Sequence, residues 1–390
     1  MLSKSVDPDI LSATVITPNA WVGVDLDRLE KNISSSKRRL SNNSKICAVV
    51  KADAYGLGIE NVMPSLMHAD VSHVGVTSNA EAMAVRKTGY SKAIMRIRPA
   101  TPAEAELTVA LGIEELVGTL GSASRLSHIA YAAGKTVGIH LSLNSQGLSR
   151  DGLELSTELA QATALEIVAL PGLKIVGVMT HFADYAPIKM RASLDAFHAD
   201  IDWLFRHTSL QRDQIMLHAA HSYAFLGLPE SHLDLVRIGA ALFGCAGEQP
   251  DFGHVMSLRT QVAAANQFSK GNSVGYDRTK ILDRDSVLAS IPLGYSNGFR
   301  RTFSNRGEVL IRGQRAPIVG KISMNSIMAD VTDITNAAAG DEVVLFGTQA
   351  AQEITQAEIE LHSGTILAEN YTNWGLANAR RLYRSGQLLA

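Results

Sequence analysis

Short runs of apolar residues alternate with longer amphipathic segments over roughly the first 245 residues of the chain. Runs such as "AWVGVDLD", "KICAVVKA", "HVGVTS" and "AIMRIRPA" are typical of buried strands, and segments between them such as "NAEAMAVRKTG" have helical spacing. Near-continuous apolar strands that alternate with helices indicate a parallel sheet covered by helices. About eight such units in ~230 residues favour a (β/α)8 barrel, with an open doubly wound sheet as the alternative.

The pattern changes after roughly residue 250. Short β-type runs punctuated by glycine follow, with one helical segment near "ITQAEIELHSG". The sequence therefore predicts an α/β protein with a TIM-like (β/α)8 barrel followed by a smaller C-terminal β-domain. The predicted boundaries are an N-terminal extension at 1–18, the barrel at 19–250 and the β-domain at 251–390.

Composition and charge narrow the choice of partners. The chain has 390 residues, of which 46% are hydrophobic, and a formal net charge of −2. That balance gives no basic field for nucleic acid or an anionic membrane surface. No apolar run reaches the roughly 18 residues of a spanning helix, and the first 18 residues lack the pattern of a signal peptide. We expect small-molecule chemistry with neither nucleic acid nor membrane as partner.

The segment "AVVKADAYGLG", residues 48–58, places one lysine at the end of an apolar strand. Active sites of parallel barrels lie at the carboxyl ends of the strands, so Lys51 is expected at the barrel mouth. An amine there can condense with an aldehyde if burial lowers its pKa. Tyr55 is close enough in sequence to reach a ligand phosphate. A lysine that extends from a strand end to solvent is the structural alternative.

The same segment closely resembles the pyridoxal-phosphate lysine motif of the alanine racemase family. The resemblance is closest to the broad-specificity amino-acid racemases and extends from about residue 20 to about residue 330. It is carried by the segments "LNSQGLSRDG", "THFA", "PESHLDLVRIGAALFG", "GNSVGYDRT", "GYSNGFRRTF" and "VGKISMN".

The resemblance implies two catalytic bases. Lys51 would carry pyridoxal 5'-phosphate as an internal aldimine and act on the D enantiomer, and Tyr276 would act on the L enantiomer from the opposite face. Racemisation needs such a pair because one group removes the α-proton while another delivers a proton to the other side. Arg237 would face the pyridine nitrogen, and His181 would link it to the tyrosine.

The resemblance also implies the groups that hold the cofactor and the substrate. Tyr55, Ser222 and the backbone N–H groups of Gly239 and Ala240 would bind the phosphate. Arg150 would hold the 3-hydroxyl of the cofactor and the carboxylate of the substrate.

In this family the β-domain of one subunit completes the active site of the other. Tyr276 and the backbone of Met324 would come from the partner, so the resemblance implies a homodimer.

Several positions depart from ordinary alanine racemases. Ser142 stands where a carbamylated lysine is usual, and a bound chloride near Ser142 and Asn144 would replace its charge. The broad-specificity group shares these two residues and the pair Arg96 and Arg98 near the entrance. Asp151 adds a negative charge at the entry side, which would favour lysine and arginine as substrates.

Two further departures concern His221 and the cysteines. His221 stands next to Ser222 where the family has asparagine. Envelope-located relatives carry a disulfide from the Cys47 position to a cysteine that is His73 here. Its absence and the lack of a signal peptide favour the cytoplasm, with the periplasm as the alternative if the natural start lies upstream.

Three functions remain open beside a racemase of broad range. A strict alanine racemase would share every motif. A barrel-fold amino-acid decarboxylase would need a catalytic cysteine in the β-domain, whereas Cys245 falls in the last barrel unit. A non-catalytic pyridoxal-phosphate carrier would be a single barrel without Tyr276.

Overall fold

The computed structural model describes residues 18–41, 43–247 and 249–389, which form two compact units. The larger unit comprises Val24–Met256, Ile366–Gly375 and residues 382–389. The smaller unit comprises residues 18–23, Ser257–Thr365 and Leu376–Arg381.

The larger unit is built around eight parallel strands. Neighbouring strands pair in chain order, and the first also pairs with the eighth, where Cys47 lies opposite Arg237. The ring is completed between the last two strands, where the Asp234 N–H donates to the Leu217 carbonyl at 3.0 Å. This confirms the predicted (β/α)8 barrel. The strands are Lys45–Val49, His73–Val76, Ala93–Arg96, Ile113–Val117, Val137–Ser142, Leu173–Met179, Met216–His218 and Leu235–Ile238.

Helices connect the barrel strands, and polar caps mark where several of them begin. The hydroxyls of Ser78, Thr119 and Thr157 each accept a hydrogen bond from the first turn of the following helix. None of the described helices is both long and apolar enough to cross a bilayer. The helices are Leu26–Arg39, Lys51–Tyr55, Ile59–His68, Asn79–Lys87, Pro102–Ala105, Thr108–Leu111, Leu120–Ala132, Glu158–Ala169, Pro187–His207 and Ser222–Gly227.

The smaller unit consists mainly of antiparallel strands. One sheet has the strand order Gln314–Pro317, Glu308–Ile311, Glu342–Gln349 and Met256–Gln261, and a second has the order Ala264–Phe268, Ser286–Ile291 and Ile327–Asp330. The predicted helix is present at Gln356–Ser363, where Thr355 and Glu358 form a capping box. Further strands of this unit are Ser273–Val274, Lys280–Ile281 and Gln352–Ile354. The strand Ala379–Arg384 begins in this unit, and Gln387–Leu388 belongs to the larger unit.

Two elements differ from the sequence prediction. The apolar run "AWVGVDLD" predicted a strand among the β/α units. In the structure this strand, Ala20–Asp25, is instead hydrogen-bonded beside Met256–Gln261 in the first antiparallel sheet. The apolar pattern of a strand does not indicate which sheet the strand will join. The helix Leu367–Ala377 was not predicted, because its asparagine, threonine and glycine residues have weak helix propensity. Burial of Tyr371 and Trp374, both 0% exposed, stabilises it.

Candidate active site

A cavity of about 610 Å³ lies in the larger unit and collects most of the predicted site residues. It takes residues from the ends of several barrel strands, as expected for a parallel barrel. Its wall includes the predicted residues Lys51, Tyr55, Arg98, Arg150, Asp151, His181, His221, Ser222, Arg237, Gly239 and Ala240.

The chain turns sharply at Lys51, two residues beyond the first barrel strand. Residues 52–55 all have positive φ, between 52° and 57°, which makes one left-handed helical turn without a single glycine. Such a turn costs about 1–2 kcal/mol per residue. Hydrogen bonds hold it at both ends, since the Ala52 N–H donates to Glu81 Oε1 at 2.7 Å and the Ile59 N–H donates to Asp53 Oδ1 at 2.8 Å.

Lys51 is one of the residues that line the cavity. Burial by the surrounding protein, followed by the positive charge of Arg150, lowers the pKa of this ammonium, and Glu81 opposes the shift. A lowered pKa increases the neutral fraction of the amine, which is the form that attacks a carbonyl carbon. A shift in this direction is the one that a nucleophilic lysine needs.

The phosphate-binding residues predicted by the resemblance lie together. Ser222 Oγ accepts hydrogen bonds from the N–H groups of Gly239, at 3.3 Å, and Ala241, at 3.1 Å. A Cβ atom at position 239 would lie 2.7 Å from Tyr55 Oη, so only glycine allows this approach. Hydroxyl and amide donors around a residue without a side chain form a cradle for a phosphate.

Arg237 is buried in the eighth barrel strand, two residues before Gly239. Its Nη1 donates to His218 Nδ1 at 2.7 Å, and its Nη2 donates to His181 Nδ1 at 3.1 Å. Burial lowers the pKa of Arg237 to about 10, which leaves it cationic at neutral pH. Because the guanidinium has no acceptor, both histidines must accept through Nδ1.

Asp151 places its carboxyl group in the cavity wall, where Arg150 and Arg237 are nearby. Its Oδ2 is buried and has no hydrogen-bond partner among the described residues. Burial raises the pKa of Asp151, and the charges of Arg150 and Arg237 oppose that shift. A buried acceptor without a partner is suited to a donor on a bound ligand.

His221 is held beside the phosphate cradle. Its Nδ1 accepts hydrogen bonds from the N–H groups of Tyr223, at 3.2 Å, and Ala224, at 3.3 Å, and so caps the helix Ser222–Gly227. The ring lies 5.3 Å from that of His181. The histidine thus performs the capping that asparagine side chains commonly provide.

The two arginines predicted at the entrance have different environments. Arg98 lines the cavity and makes two hydrogen bonds to Glu104, at 2.5 and 2.9 Å. Arg96 is fully buried outside the cavity wall and pairs with Glu115 at 2.8 Å.

Ser142 and Asn144 are not among the cavity-lining residues. Ser142 is buried, and within the described part of the chain its hydroxyl makes only a long contact of 3.5 Å to Met179 Sδ. Asn144 Oδ1 accepts from the Ser149 N–H at 3.0 Å and so shapes the loop that leads to Arg150.

Tyr276 and Met324 belong to the smaller unit. Their exposed fractions are 66% and 54%. Tyr276 begins a tight turn in which Asp277 and Arg278 have positive φ, and Asp277 forms an ion pair with Lys321. The Met324 carbonyl accepts hydrogen bonds from Ser296.

The sequence prediction missed two parts of the site. His218 contacts Arg237 directly, yet within "IMLHAAHS" it is one polar residue in an apolar run. Ile366, Glu369 and Thr372 contribute a wall of the cavity from a segment more than 300 residues beyond Lys51. Neither feature has a local sequence signal.

Comparison with protein families identifies two matches that together span most of the chain. The alanine racemase N-terminal domain matches residues 24–247, and the alanine racemase C-terminal domain matches residues 255–383.

Individual relatives agree with this assignment. The chain is 46% identical over 379 residues to a broad specificity amino-acid racemase of Pseudomonas putida, covering 97% of this chain and 93% of the relative. It is 41% identical to a lysine racemase of Proteus mirabilis, covering 94% and 90%.

Solved structures show the same fold. Alanine racemase from Bacillus anthracis with bound L-Ala-P superposes with a TM-score of 0.86 at 26% identity, covering 97% of this chain and 98% of that one. Alanine racemase from Bartonella henselae with covalently bound pyridoxal phosphate has a TM-score of 0.82 at 25% identity, with coverage of 94% and 100%. The chain therefore belongs to the alanine racemase family and is an amino-acid racemase.

Proposed function

We propose that this protein interconverts the L and D forms of free amino acids with pyridoxal 5'-phosphate bound at Lys51. The observation that carries the proposal is the placement of the Lys51 amine, the buried Arg237 and a phosphate cradle in one cavity. The family depends on this cofactor. When bound, pyridoxal phosphate supplies an electron-withdrawing ring that acidifies the α C–H bond of the amino acid.

The residues present fit that cofactor. The lowered pKa of Lys51 suits an amine that binds an aldehyde, and Tyr55, Ser222, Gly239 and Ala240 would hold the phosphate. Arg237 would face the ring nitrogen as a fixed donor, since its pKa of about 10 keeps the guanidinium charged.

Proton transfer is assigned to two residues of this chain. Lys51 Nζ takes the α-proton of a D amino acid, and the Tyr276 hydroxyl delivers a proton to the opposite face. The reverse pair of transfers converts the L form, so one proton leaves and one arrives in each direction. Tyr276 and Met324 would reach the cavity from a partner subunit, which makes a homodimer the proposed active unit.

We further propose a broad substrate range that includes alanine, lysine and arginine. The relatives at 40–47% identity include broad specificity racemases and a lysine racemase. Asp151 supports cationic side chains because its buried Oδ2 has no partner among the described residues. Arg98, on the cavity wall, is the second proposed specificity residue, and Arg96 would act only indirectly because it is buried outside that wall.

A chloride near Ser142 and Asn144 is proposed to orient Arg150. The Ser142 hydroxyl has only its long sulfur contact, so it is available to donate to an anion. Racemisation that rises with chloride at constant ionic strength supports this role. Equal rates in chloride and in gluconate would contradict it.

The function is tested with a chiral assay of purified protein on alanine, serine, lysine, arginine and methionine. We expect racemisation of alanine and of both basic amino acids, without release of carbon dioxide. Activity on alanine alone would contradict the broad range, and carbon dioxide release would indicate the decarboxylase alternative. Tyr276→Phe should keep the absorbance of bound cofactor and lose most turnover, whereas unchanged turnover would contradict the two-base assignment.

A further inference from the structure

Four side chains form a hydrogen-bonded series, the polar file, in the interior of the barrel. Its members are Arg237, His218, His140 and Glu114. Arg237 Nη1 contacts His218 Nδ1 at 2.7 Å, His218 Nε2 contacts His140 Nδ1 at 2.9 Å, and His140 Nε2 contacts Glu114 Oε2 at 3.0 Å. Both histidines are 0% exposed, whereas the Glu114 side chain is 25% exposed. The file therefore connects the cavity end of one strand to a partly solvated carboxylate on another.

Hydrogen-bond chemistry gives this file a single direction. Arg237 can only donate, so His218 must accept at Nδ1 and carry its proton on Nε2. His140 must then accept at Nδ1 and carry its own proton on Nε2. The chain of donors ends at Glu114, whose ionised carboxylate can only accept.

The barrel backbone is shaped to admit this file. A Cβ atom at position 177 would overlap His140 Nδ1 and lie 3.0 Å from the Met216 carbonyl, so glycine is required beside the imidazole. The pairing register also shifts between Ile139 and His140. Such bulges commonly redirect a side chain. Two local departures from a regular barrel thus make room for one buried histidine.

The surroundings favour a neutral His218 and an ionised Glu114. Burial, followed by the charge of Arg237, lowers the pKa of His218 well below its ordinary value. Burial alone would raise the pKa of Glu114, but the hydrogen bond from His140 lowers it. Arg86 is a further charged group that acts on Glu114, and Lys45 and Lys92 act on His73 beside it.

We propose that Glu114 is a remote positioning residue for Arg237 and acts through His140 and His218. This inference rests on the proposed function, in which Arg237 faces the ring nitrogen of the cofactor. Glu114 accepts the last proton of the file and thereby fixes both imidazole tautomers. Its negative charge also polarises the hydrogen bonds that connect it, through His140 and His218, to the buried guanidinium. The groups that contact this guanidinium directly are all neutral.

Two substitutions separate the effect of the acceptor oxygen of Glu114 from the effect of its charge. Glu114→Gln keeps an acceptor oxygen and removes the charge, whereas Glu114→Met removes both. We expect kcat to fall about threefold in the first variant and about tenfold in the second, with KM changed less than about twofold. Such a split indicates altered chemistry rather than altered substrate binding.

A second readout does not depend on activity. In protein labelled with ¹⁵N-histidine, His140 and His218 should both carry the proton on Nε2 at neutral pH. Glu114→Gln should preserve both tautomers, and Glu114→Met should make His140 a mixture. The signals are assigned by single substitution of each histidine.

Glu115→Gln is the matched control. Glu115 neighbours Glu114 on the same strand but pairs with Arg96 outside the cavity wall, so its loss should lower thermal stability and leave both tautomers unchanged. Wild-type tautomers and wild-type kcat in Glu114→Met would overturn the inference. Unmodified protein that racemises none of the five amino acids would instead contradict the proposed function.

Discussion

The backbone N–H of Ala52 donates a hydrogen bond to Glu81 Oε1 at 2.7 Å, across 29 residues of sequence. The other oxygen of Glu81 accepts from the N–H of Thr77 at 2.7 Å. One carboxylate on the helix Asn79–Lys87 therefore holds both the residue after Lys51 and the end of the neighbouring strand. The left-handed turn that aims Lys51 into the cavity depends on this contact.

Glu81→Ala is expected to destabilise the protein and loosen the lysine turn. Two partly buried N–H groups lose their acceptor, which should cost about 2 kcal/mol of unfolding free energy. The protein should also retain less pyridoxal phosphate through dialysis, measured by absorbance. Glu60→Ala, an exposed glutamate in the next helix, is the control. Equal cofactor retention in both variants would contradict the role given to Glu81.

Gly239→Ala should disrupt the phosphate cradle. The new methyl group would lie 2.7 Å from Tyr55 Oη and 2.8 Å from the Val49 carbonyl, so Tyr55 or the strand must shift. We expect at least a tenfold weaker affinity for pyridoxal phosphate, or about 1.4 kcal/mol. Gly121→Ala is the matched control because its Cβ meets no atom within 4 Å. It lies in a helix and should leave affinity unchanged while stabilising the fold by up to about 1 kcal/mol.

The arginine pair should separate stability from substrate selection. Arg96→Met leaves the buried Glu115 without its cation and with the hydroxyl of Thr108 as its side-chain donor, and we expect a loss of about 3–5 kcal/mol in urea unfolding. Arg98→Met breaks a partly exposed pair with Glu104, which should cost under about 1 kcal/mol. It should change KM among amino acids instead, because Arg98 lines the cavity. A large loss of unfolding free energy in Arg98→Met together with a changed KM in Arg96→Met would contradict this expectation.

Acid should destabilise the protein through its buried histidines. Burial lowers the pKa of His73 and of His221 to about 4, and burial with the charge of Arg237 lowers that of His181 to about 2. These groups stay neutral in the folded state while the unfolded chain takes up protons below about pH 6.5. The unfolding free energy is therefore constant above that pH and falls below it, by about 2 kcal/mol per histidine between pH 7 and pH 5.

This pH dependence is measured by urea unfolding at a fixed cofactor concentration. His73→Gln should remove one histidine's share of the loss. A stability that does not change between pH 7 and pH 5 would show that these histidines are not held neutral.

Local sequence signals were sufficient for the barrel and for the family to which the chain belongs. Each barrel strand is an apolar run followed by a turn, and "AVVKADAYGLG" is long enough to indicate the family. The contact between His140 and His218 joins residues 78 positions apart, each within an apolar strand. Only the closure of the barrel brings them together, so no pattern along the chain could reveal it.

The role of Ser142 shows a different limit. The motif around Arg150 placed Ser142 at the site by resemblance, but the packing of Gly152 decides what it contacts. A Cβ at position 152 would lie 3.1 Å from Ser142 Oγ and 2.9 Å from the Leu143 carbonyl carbon. Such close approach of two loop segments depends on three-dimensional packing that residue identity alone does not specify.

The return of residues 366–375 to the larger unit has a consequence for protein engineering. A hybrid racemase made by joining the first 256 residues of one protein to the remainder of another would exchange more than its β-strands. It would also receive Ile366, Glu369 and Thr372, and with them a wall of the cavity, from the second parent. The substrate preference of such a hybrid would therefore depend on both parents and not only on the parent that supplies the barrel strands.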